Sequence, residues 1–317
     1  MTQHTNQSII IPVHGHIGMA RECIASVLRT TTGSSEVIVI DDCSPEPFEP
    51  ESEDERLRVL RLDAPAGFAT ACNVGAEIAR GAQLIFLNSD TVTEGDWAER
   101  LLACGAEHSS RIVGARLFYS DGTIQHAGMC FSQHDGMPRH LYRGFPGDHP
   151  AVARDRRLRA VSGACIAVSR TLFQELAGFD TTFLNGFEDV DLCLRAAQHD
   201  AAVLYCGSTR ITHLESVSLP MRKPPTVENA SAFRERWGDT VAPDEFAYYV
   251  EDNLIAVTSD DVYPLQFAID PLLGQAWNDE TSLLVSRLLN TRSRQVFDLQ
   301  KRIGYLTARL LDHGIEP

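Results

Sequence analysis

The sequence predicts an α/β protein built on a doubly wound sheet, and two observations support that prediction. Short runs rich in β-branched residues alternate with helical apolar patterns along the first half of the chain. The chain has 317 residues, of which 44% are hydrophobic and 22% charged. That is enough for one large α/β domain, or for one domain with an appendage, and it excludes a mainly disordered protein.

Four short apolar runs in the first half predict buried parallel strands, and two helical patterns connect them. The predicted strands are Ser8–Val13, Glu36–Ile40, Leu57–Leu62 and Gln83–Leu87. The predicted helices are Gly18–Thr30 and Phe68–Arg80. This βαβ order favours right-handed crossovers and a doubly wound sheet. Because ligands of such sheets bind beyond the carboxyl ends of the strands, polar residues that directly follow strands are the candidate site residues.

The second half continues the sheet and then becomes helical. Further strands are predicted at Val113–Phe118, Val161–Val168 and Ala202–Cys206, and helices at Thr171–Leu176, Val190–His199, Val227–Trp237, Pro243–Val257 and Glu280–Leu311. The pattern of alternating strands and helices gives way to helices alone after Pro224 and Pro225. We therefore expect an α/β domain at 1–224 and a helical extension at 225–317. The long Ser120–Arg159 segment, rich in Arg and His, is expected to form a lid or specificity loop. Its basic residues could form a solvated patch, or belong to a mobile loop that closes on the donor diphosphate or on a phosphate-bearing acceptor.

Charge and cysteine usage narrow the class of protein. The formal net charge is 28 − 43 = −15, which argues against a general nucleic-acid or anionic-membrane coat. The eight cysteines show no CxxC pair, so neither a zinc ribbon nor a disulfide framework is expected. Met1–Ser8 is polar and no apolar run reaches the roughly 20 residues of a membrane helix, so we expect a cytoplasmic protein.

Polar residues follow two of the predicted strands. Asp41 and Asp42 end the second strand, where they could accept hydrogen bonds from a nucleotide base or ribose, or simply start a turn. Asn88, Ser89 and Asp90 follow the fourth strand. A carboxylate and an amide at this spacing can hold a hard divalent ion together with diphosphate oxygens. A turn that ends the strand is the alternative for this group as well.

An acidic cluster and a histidine complete the candidates. Glu188 and Asp189 are expected just ahead of a helix, where one of them could act as a general base. Asp191 and Arg195 are spaced to pair on one helix face, which is ordinary helix chemistry. His213 follows a strand and could be a metal ligand, although a lone histidine is more often structural.

These pieces stand in a fixed order over residues 8–238. They are Ile10-Ile11-Pro12-Val13, Val39-Ile40-Asp41-Asp42-Cys43-Ser44, Gly67-Phe68, Cys72-Asn73-Val74-Gly75, Ala79-Arg80-Gly81, Phe86-Leu87-Asn88-Ser89-Asp90, Ser162-Gly163-Ala164-Cys165, Gly178-Phe179-Asp180, Phe187-Glu188-Asp189-Val190-Asp191-Leu192, His213 with Ser216, and Phe233 with Trp237. In this order they resemble the inverting, nucleotide-sugar-dependent glycosyltransferases of family 2, which have the GT-A fold. The Gln125-His126-Ala127-Gly128 segment is similar to the rhamnosyltransferase-like bacterial polysaccharide branch.

The resemblance implies roles for the matching residues. Asp189 would be the catalytic base, with Glu188 orienting it or the acceptor. Asp90 would bind Mg²⁺ or Mn²⁺ on the donor diphosphate, with Asn88 and His213 as further ligands. The nucleotide would be bordered by Pro12, Val13, Asp41, Asp42, Asn73, Arg80 and Ser89.

The resemblance also implies an activity. The chain would transfer a hexosyl or deoxyhexosyl group from a UDP or dTDP sugar to a hydroxyl of a glycan or a polyprenyl-diphosphate-linked acceptor. The expected process is cell-surface polysaccharide synthesis, such as that of O-antigen. The C-terminal helices could complete the acceptor site, form a homodimer, or make peripheral contact with the inner face of the membrane.

Two departures from the family pattern leave alternatives open. His14-Gly15 stands where the family often has Tyr-Asn, and Asn88 replaces the first acid of the DxD motif, which implies weaker metal dependence. A non-catalytic sugar- or nucleotide-binding scaffold of the same fold therefore stays open. A sugar nucleotidyltransferase is disfavoured because no Gly-rich phosphate loop follows the first strand. A Rossmann dehydrogenase is disfavoured because no GxGxxG string occurs.

Overall fold

The computed structural model describes residues 6–214, 227–259 and 266–276, together with helical positions 291, 295, 298–299, 301–307 and 309. The chain forms two compact units, Met1–Asp244 and Glu245–Pro317. The boundary predicted after residue 224 falls among residues outside this description. The helix that follows it, Val227–Trp237, belongs to the first unit.

The first unit is built on one mixed sheet. Its strands are β1 (Gln7–Val13), β2 (Ser35–Asp41), β3 (Leu57–Arg61), β4 (Gln83–Leu87), β5 (Thr91–Thr93), β6 (Ile112–Phe118), β7 (Ile124–His126), β10 (Arg156–Leu158), β11 (Cys165–Ser169) and β12 (Val203–His213). A separate pair is β8 (Met129–Phe131) with β9 (Pro138–His140). The order across the main sheet is β10-β12-β6-β11-β4-β1-β2-β3, with β5 beside β12 and β7 beside β6. β11 runs antiparallel between β4 and β6, which makes the sheet mixed.

Helices cover both faces of this sheet. They are α1 (Ile17–Thr30), α2 (Gly67–Ile78), α3 (Trp97–Glu107), α4 (Pro150–Ala153), α5 (Arg170–Glu175), α6 (Glu188–Gln198) and α7 (Val227–Trp237). Ile9 and Ile11 of β1 belong to the buried cluster that contains α1 and α3. Gly75 of α2 instead lies against Ile10 of the same strand. Because successive side chains of a strand point to opposite faces, the sheet is covered on both sides, as a doubly wound sheet requires.

The strand predictions of the first half are confirmed in position, but one was wrong in burial. β3 is the last strand in the sheet order, and Val59 and Leu60 are 37% and 38% exposed. An edge strand has a neighbouring strand on one side alone, so its apolar residues need not be covered.

Three further predictions differ from the structure. The helix predicted from Val190 begins two residues earlier, so Glu188 is its first residue. The helix predicted over Pro243–Val257 is shorter, since Leu254 already lies beyond α8 (Glu245–Glu251). The loop expected over Ser120–Arg159 is instead a folded segment that contains β7 to β10 and α4, with Phe131 and Phe145 buried.

The second unit contains α8, the antiparallel pair β13 (Ile255–Ser259) and β14 (Gln266–Ile269), and α9 (Pro271–Ala276). Most of the predicted helix Glu280–Leu311 lies outside the described residues, and the positions that are described are helical. Among the residues described, no helix has both the length and the apolar character needed to cross a membrane.

The close approach of α2 to the sheet gives a stability prediction. An added Cβ at Gly75 would collide with Cγ2 of Ile10 and lie 3.3 Å from Ile40. Because both isoleucines are buried and stiff at χ1, Gly75→Ala should destabilise the protein by about 1–3 kcal/mol in urea unfolding. Gly18→Ala is the matched control, since it is also helical and has open space around it. The control should be neutral or stabilising by up to about 1 kcal/mol. Equal stability of the two variants would contradict this packing.

Candidate functional site

The candidate site lies where β4 ends and β12 ends. Asn88, Ser89 and Asp90 follow β4, and the antiparallel pairing of β12 with β5 places His213 opposite Thr91. His213 Nε2 lies 2.9 Å from Asp90 Oδ1 and 3.3 Å from Asn88 Nδ2. The side chains of Asp90 and His213 are 13% and 5% exposed. The structure therefore brings together the three residues that the resemblance implies as metal ligands.

The hydrogen bond of His213 with Gln125 bears on the contact between His213 and Asp90. Its Nδ1 lies 2.7 Å from Oε1 of Gln125, a carbonyl oxygen that can accept a hydrogen bond but cannot donate one. With the ring proton on Nδ1, Nε2 presents a lone pair to the carboxylate of Asp90. In that tautomer both atoms present lone pairs, so a cation bound between Nε2 and Oδ1 would be held by both.

The donor set fits a hard divalent ion. Neighbouring ligands of an octahedral Mg²⁺, each about 2.1 Å from the ion, lie about 3.0 Å apart. His213 Nε2 lies 2.9 Å from the oxygen of Asp90, which is the spacing of two neighbouring ligands. The atom of Asn88 that lies 3.3 Å from Nε2 is the amide nitrogen, so this side chain would have to turn its oxygen toward the ion to become a ligand. These ligands leave other coordination positions for substrate oxygens or water.

Asp189 is held by backbone N–H groups at the start of α6. Gly163 donates to Oδ2 at 2.7 Å, and Val190 donates to Oδ1 at 2.8 Å. A Cβ at Gly163 would lie 3.1 Å from the Cβ of Asp189, so the two backbones are in close contact. The next residue, Ala164, accepts a hydrogen bond from the backbone of Asn88 at 2.9 Å. A single short segment thus links Asp189 to the residues that follow β4.

Glu188 contacts the turn before α6 and not the segment that holds Asp189. Its Oε2 accepts a hydrogen bond from the backbone N–H of Gly186 at 2.5 Å, and the residue is 8% exposed. This bond closes the turn that leads into α6, where Phe187 has a positive φ of 75°. The structure therefore gives Glu188 a part in shaping the turn that presents Asp189.

The first turn of α6 is anchored by ion pairs to the buried carboxylate of Asp191. Asp191 has no exposed surface and pairs with Arg195 at 2.7 Å and Arg236 at 2.8 Å, while Trp237 donates to it at 3.0 Å. The predicted pairing of Asp191 with Arg195 is confirmed. Arg236 also bonds Asp180 at 2.6 Å. Because α7 supplies Arg236 and Trp237, this helix fixes the position of α6 and hence of Asp189.

The two carboxylates at the end of β2 accept hydrogen bonds from other groups of the protein. Asp41 accepts hydrogen bonds from the backbone of Ser44 and Phe48 and pairs with Arg61. Burial raises the pKa of Asp41, but the bonds from these partners outweigh it, so the net pKa is below the usual range. Asp42 accepts from the backbone N–H groups of Ala66 and Gly67 at 2.6 and 2.9 Å, where α2 begins.

The other residues implied in nucleotide binding are spread over the unit. Val13 is buried and Pro12 is half-buried at the carboxyl end of β1, and Ser89 is half-buried beside Asp90. Asn73 exchanges two hydrogen bonds of 2.9 Å with the backbone of Phe179. These contacts join α2 to the segment that precedes α6.

Arg80 is not brought to the site. It lies beyond the carboxyl end of α2, next to Gly81, whose N–H donates to Ser8 near the start of β1. The backbone N–H of Arg80 donates to Glu36, near the start of β2. A helix that crosses from one parallel strand to the next ends at the amino edge of the sheet, opposite to the edge where ligands bind.

The sequence reasoning missed the positioning roles of Gln125 and His126. Successive side chains of β7 point in opposite directions, so Gln125 contacts His213 while His126 accepts from the N–H of Ser162 at 3.2 Å. Burial, together with the neighbouring His140 and His213, holds the pKa of His126 well below its usual range. A neutral His126 with Nε2 as acceptor carries its proton on Nδ1, 2.8 Å from His140. The only sequence signal was the Gln125-His126-Ala127-Gly128 string.

Comparisons with known proteins agree with this architecture. Residues 8–176 match the sequence profile of Glycosyl transferase family 2. An uncharacterized protein of Sinorhizobium fredii is 32% identical over 224 residues, which are 67% of this chain and 24% of that protein. The O-antigen biosynthesis protein RfbC of Myxococcus xanthus is 30% identical over 222 residues, which are 67% of this chain and 17% of that protein. The chain thus spans about a quarter or less of these two relatives.

One solved structure shows the same fold. GalNAc-T7 with UDP, GalNAc and Mn²⁺ superposes with a TM-score of 0.59 at 19% identity, over 80% of this chain and 52% of that chain. The predicted fold class is therefore confirmed.

The ion pair of Asp180 with Arg236 predicts how the stability of the protein depends on pH. Although burial opposes ionisation, hydrogen bonds from Thr182 and Arg236 lower the pKa of Asp180 to about 2. A carboxyl whose pKa is lower in the folded state stabilises the protein above pH 4 and loses that effect as the pH falls toward 2. We expect Asp180→Asn to cost about 2 kcal/mol at pH 7, and less between pH 4 and pH 2, in urea unfolding.

Asp239→Asn is the control for this measurement, because Asp239 is exposed on the turn after α7. It should leave stability nearly unchanged at both pH values. A stability difference between wild type and Asp180→Asn that stays constant from pH 7 to pH 3 would contradict the ion pair with Arg236.

Proposed function

This chain belongs to Glycosyl transferase family 2, and on that premise we propose that it transfers a sugar, with inversion, from a nucleoside-diphosphate donor to a hydroxyl group. The observation that supports this most is the contact of 2.9 Å between His213 Nε2 and Asp90 Oδ1. It lies at the sheet edge where such folds bind ligands, and Asp189 is linked to the same edge through Gly163 and Ala164.

The proposed metal site consists of Asp90, His213 and Asn88. A bound Mg²⁺ or Mn²⁺ would supply positive charge against the leaving diphosphate. The chain's own part is to orient the ligands: Gln125 fixes the ring of His213, and Ala164 fixes the backbone of Asn88. The crystal structure of GalNAc-T7 with UDP and Mn²⁺ supports the choice of ion and donor class. Asn88 in place of a second carboxylate lowers the negative charge of the site, so metal binding should be weaker than at a site with two acids.

Asp189 is the proposed general base. An inverting transfer needs one base that removes the proton of the acceptor hydroxyl as that oxygen attacks the anomeric carbon. Two backbone donors hold the carboxylate of Asp189 in one orientation. Glu188 acts by holding the turn before α6, and it positions Asp189 through the backbone.

The proposed donor is a UDP or dTDP sugar, and a hexosyl or deoxyhexosyl group is transferred. The proposed acceptor is a glycan or a polyprenyl-diphosphate-linked glycan in cell-surface polysaccharide synthesis. The name of the Myxococcus xanthus relative, an O-antigen biosynthesis protein, supports this process. Because a polyprenyl chain lies in a membrane, we include peripheral contact with the inner membrane face. A homodimer through the C-terminal helices is also part of the proposal, and the exposed Leu299, Ile303 and Leu306 support it.

Asp189→Asn tests the base. The amide keeps the size of the side chain but cannot take a proton, so we expect kcat to fall by on the order of 10²–10⁴. Binding of UDP or dTDP in the presence of Mn²⁺, measured by calorimetry, should be largely unchanged. Asp200→Asn, an exposed carboxylate beyond the other end of α6, is the matched control and should keep full activity. Near-normal turnover by Asp189→Asn would show that another group is the base.

Asp90→Asn tests the metal site. Wild-type protein should bind nucleoside diphosphate more tightly with Mn²⁺ than after chelation with EDTA. The variant should lose this gain, because an amide oxygen binds a divalent cation less strongly than a carboxylate does. Asp63→Asn, at an exposed position, is the control. An equal gain from Mn²⁺ in wild type and in Asp90→Asn would contradict the assignment.

A further inference from the structure

A second group of metal-binding side chains lies away from the Asp90 site. Cys104 and His108 stand four residues apart at the end of α3, and Asp155 lies between α4 and β10. One ligand atom from each of these three residues falls within 4.8 Å of the others. We refer to these three residues as the Cys104 cluster.

Two separations within the Cys104 cluster match those of a tetrahedral site. For Zn²⁺ bound at about 2.3 Å to sulfur and about 2.0–2.2 Å to nitrogen or oxygen, tetrahedral ligands lie about 3.3–3.8 Å apart. The Sγ of Cys104 lies 3.3 Å from Oδ2 of Asp155, and Nε2 of His108 lies 3.4 Å from the same oxygen. Both distances fall in the range expected for two ligands of one zinc ion.

The local fold holds these side chains in place. Residues four apart lie on one face of a helix, so α3 presents Cys104 and His108 together. The other carboxylate oxygen of Asp155 accepts from the N–H of Gly207 at 2.7 Å, which leaves Oδ2 turned toward the cluster. Gly207 lies at an irregularity in the pairing of β12 with β6, directly after Cys206. The carboxylate is therefore fixed by the backbone, and the cluster has a route to solvent because the side chain of His108 is 41% exposed.

From this geometry we propose that the Cys104 cluster binds Zn²⁺ through Cys104, His108 and Asp155. A thiolate and an imidazole favour zinc over the harder Mg²⁺ and Mn²⁺, which separates this site from the Asp90 site by chemistry. On binding, the thiol of Cys104 forms a bond to zinc as a thiolate and releases its proton to solvent. Three protein ligands leave the fourth tetrahedral position to a water molecule.

A zinc ion at this position would join α3 to the segment before β10, where Asp155 also accepts a hydrogen bond from Gly207 of β12. β12 is also the strand that ends at His213. The ion would therefore stiffen the strand that carries one of the proposed ligands of the catalytic metal. Zinc binding should raise the melting temperature, since a ligand that binds only the folded state stabilises it.

Cobalt substitution tests this proposal directly. The full chain is stripped of metal by a chelator, kept reduced, and titrated with Co²⁺. We expect a thiolate-to-cobalt charge-transfer band that saturates at about one equivalent per chain and disappears when Zn²⁺ is added. His108→Ala and Cys104→Ser should each weaken Co²⁺ binding by about tenfold or more. His199→Ala is the matched control, because His199 is an exposed histidine at the same position after α6 as His108 after α3. That variant, and Asp90→Asn, should keep the band.

His108→Ala removes a partly exposed side chain, so it tests the site even where Cys104→Ser lowers the yield of folded protein. A count of eight reduced thiols before the titration shows that Cys104 is available. With those thiols reduced, absence of the charge-transfer band in the wild type would overturn the proposal. A band of equal strength in His108→Ala and Cys104→Ser would mean an adventitious ion on other thiols, which would also overturn it.

Discussion

The contact between His213 and Asp90 is the constraint on which the rest of the site depends. The two side chains lie 2.9 Å apart although 123 positions separate them in the chain. β12 must run past β6 and then pair with β5 for His213 to arrive opposite Thr91. A shift of one residue in that register would turn the imidazole to the other face of the sheet. Gln125 contacts the other ring nitrogen of His213 at 2.7 Å and so fixes the orientation of the imidazole.

Backbone groups, more than side chains, hold the proposed base in place. Ser162, Gly163 and Ala164 contact in turn His126, Asp189 and Asn88. The base and the metal-binding residues are therefore parts of one hydrogen-bonded unit. The close approach at Gly163 leaves little room for any side chain there. On the other side of α6, the buried pairs of Asp191 with Arg195 and Arg236 set the orientation of the helix. The backbone contacts and the ion pairs of α6 therefore both restrict the position of Asp189.

The sequence allowed the sheet and one edge of the site to be predicted, because both follow from local patterns. Runs of β-branched residues mark the central strands, and polar residues directly after β4 mark the ligand edge. What it could not provide were contacts between distant segments. Gln125 reaches His213 across 88 positions. The carboxylates of Asp41 and Asp42 are satisfied by nearby backbone, which their position after a strand does not reveal. Arg80 was placed by motif, but the helix direction carries it to the opposite edge.

The most direct test of the central claim is a crystal structure of the chain grown with Mn²⁺ and UDP, with anomalous data collected at the manganese edge. We predict one anomalous peak within about 2.0–2.3 Å of both Asp90 Oδ1 and His213 Nε2, with diphosphate oxygens completing the coordination. UDP bound with no anomalous peak at these two atoms, or with the manganese held by other residues, would contradict the account.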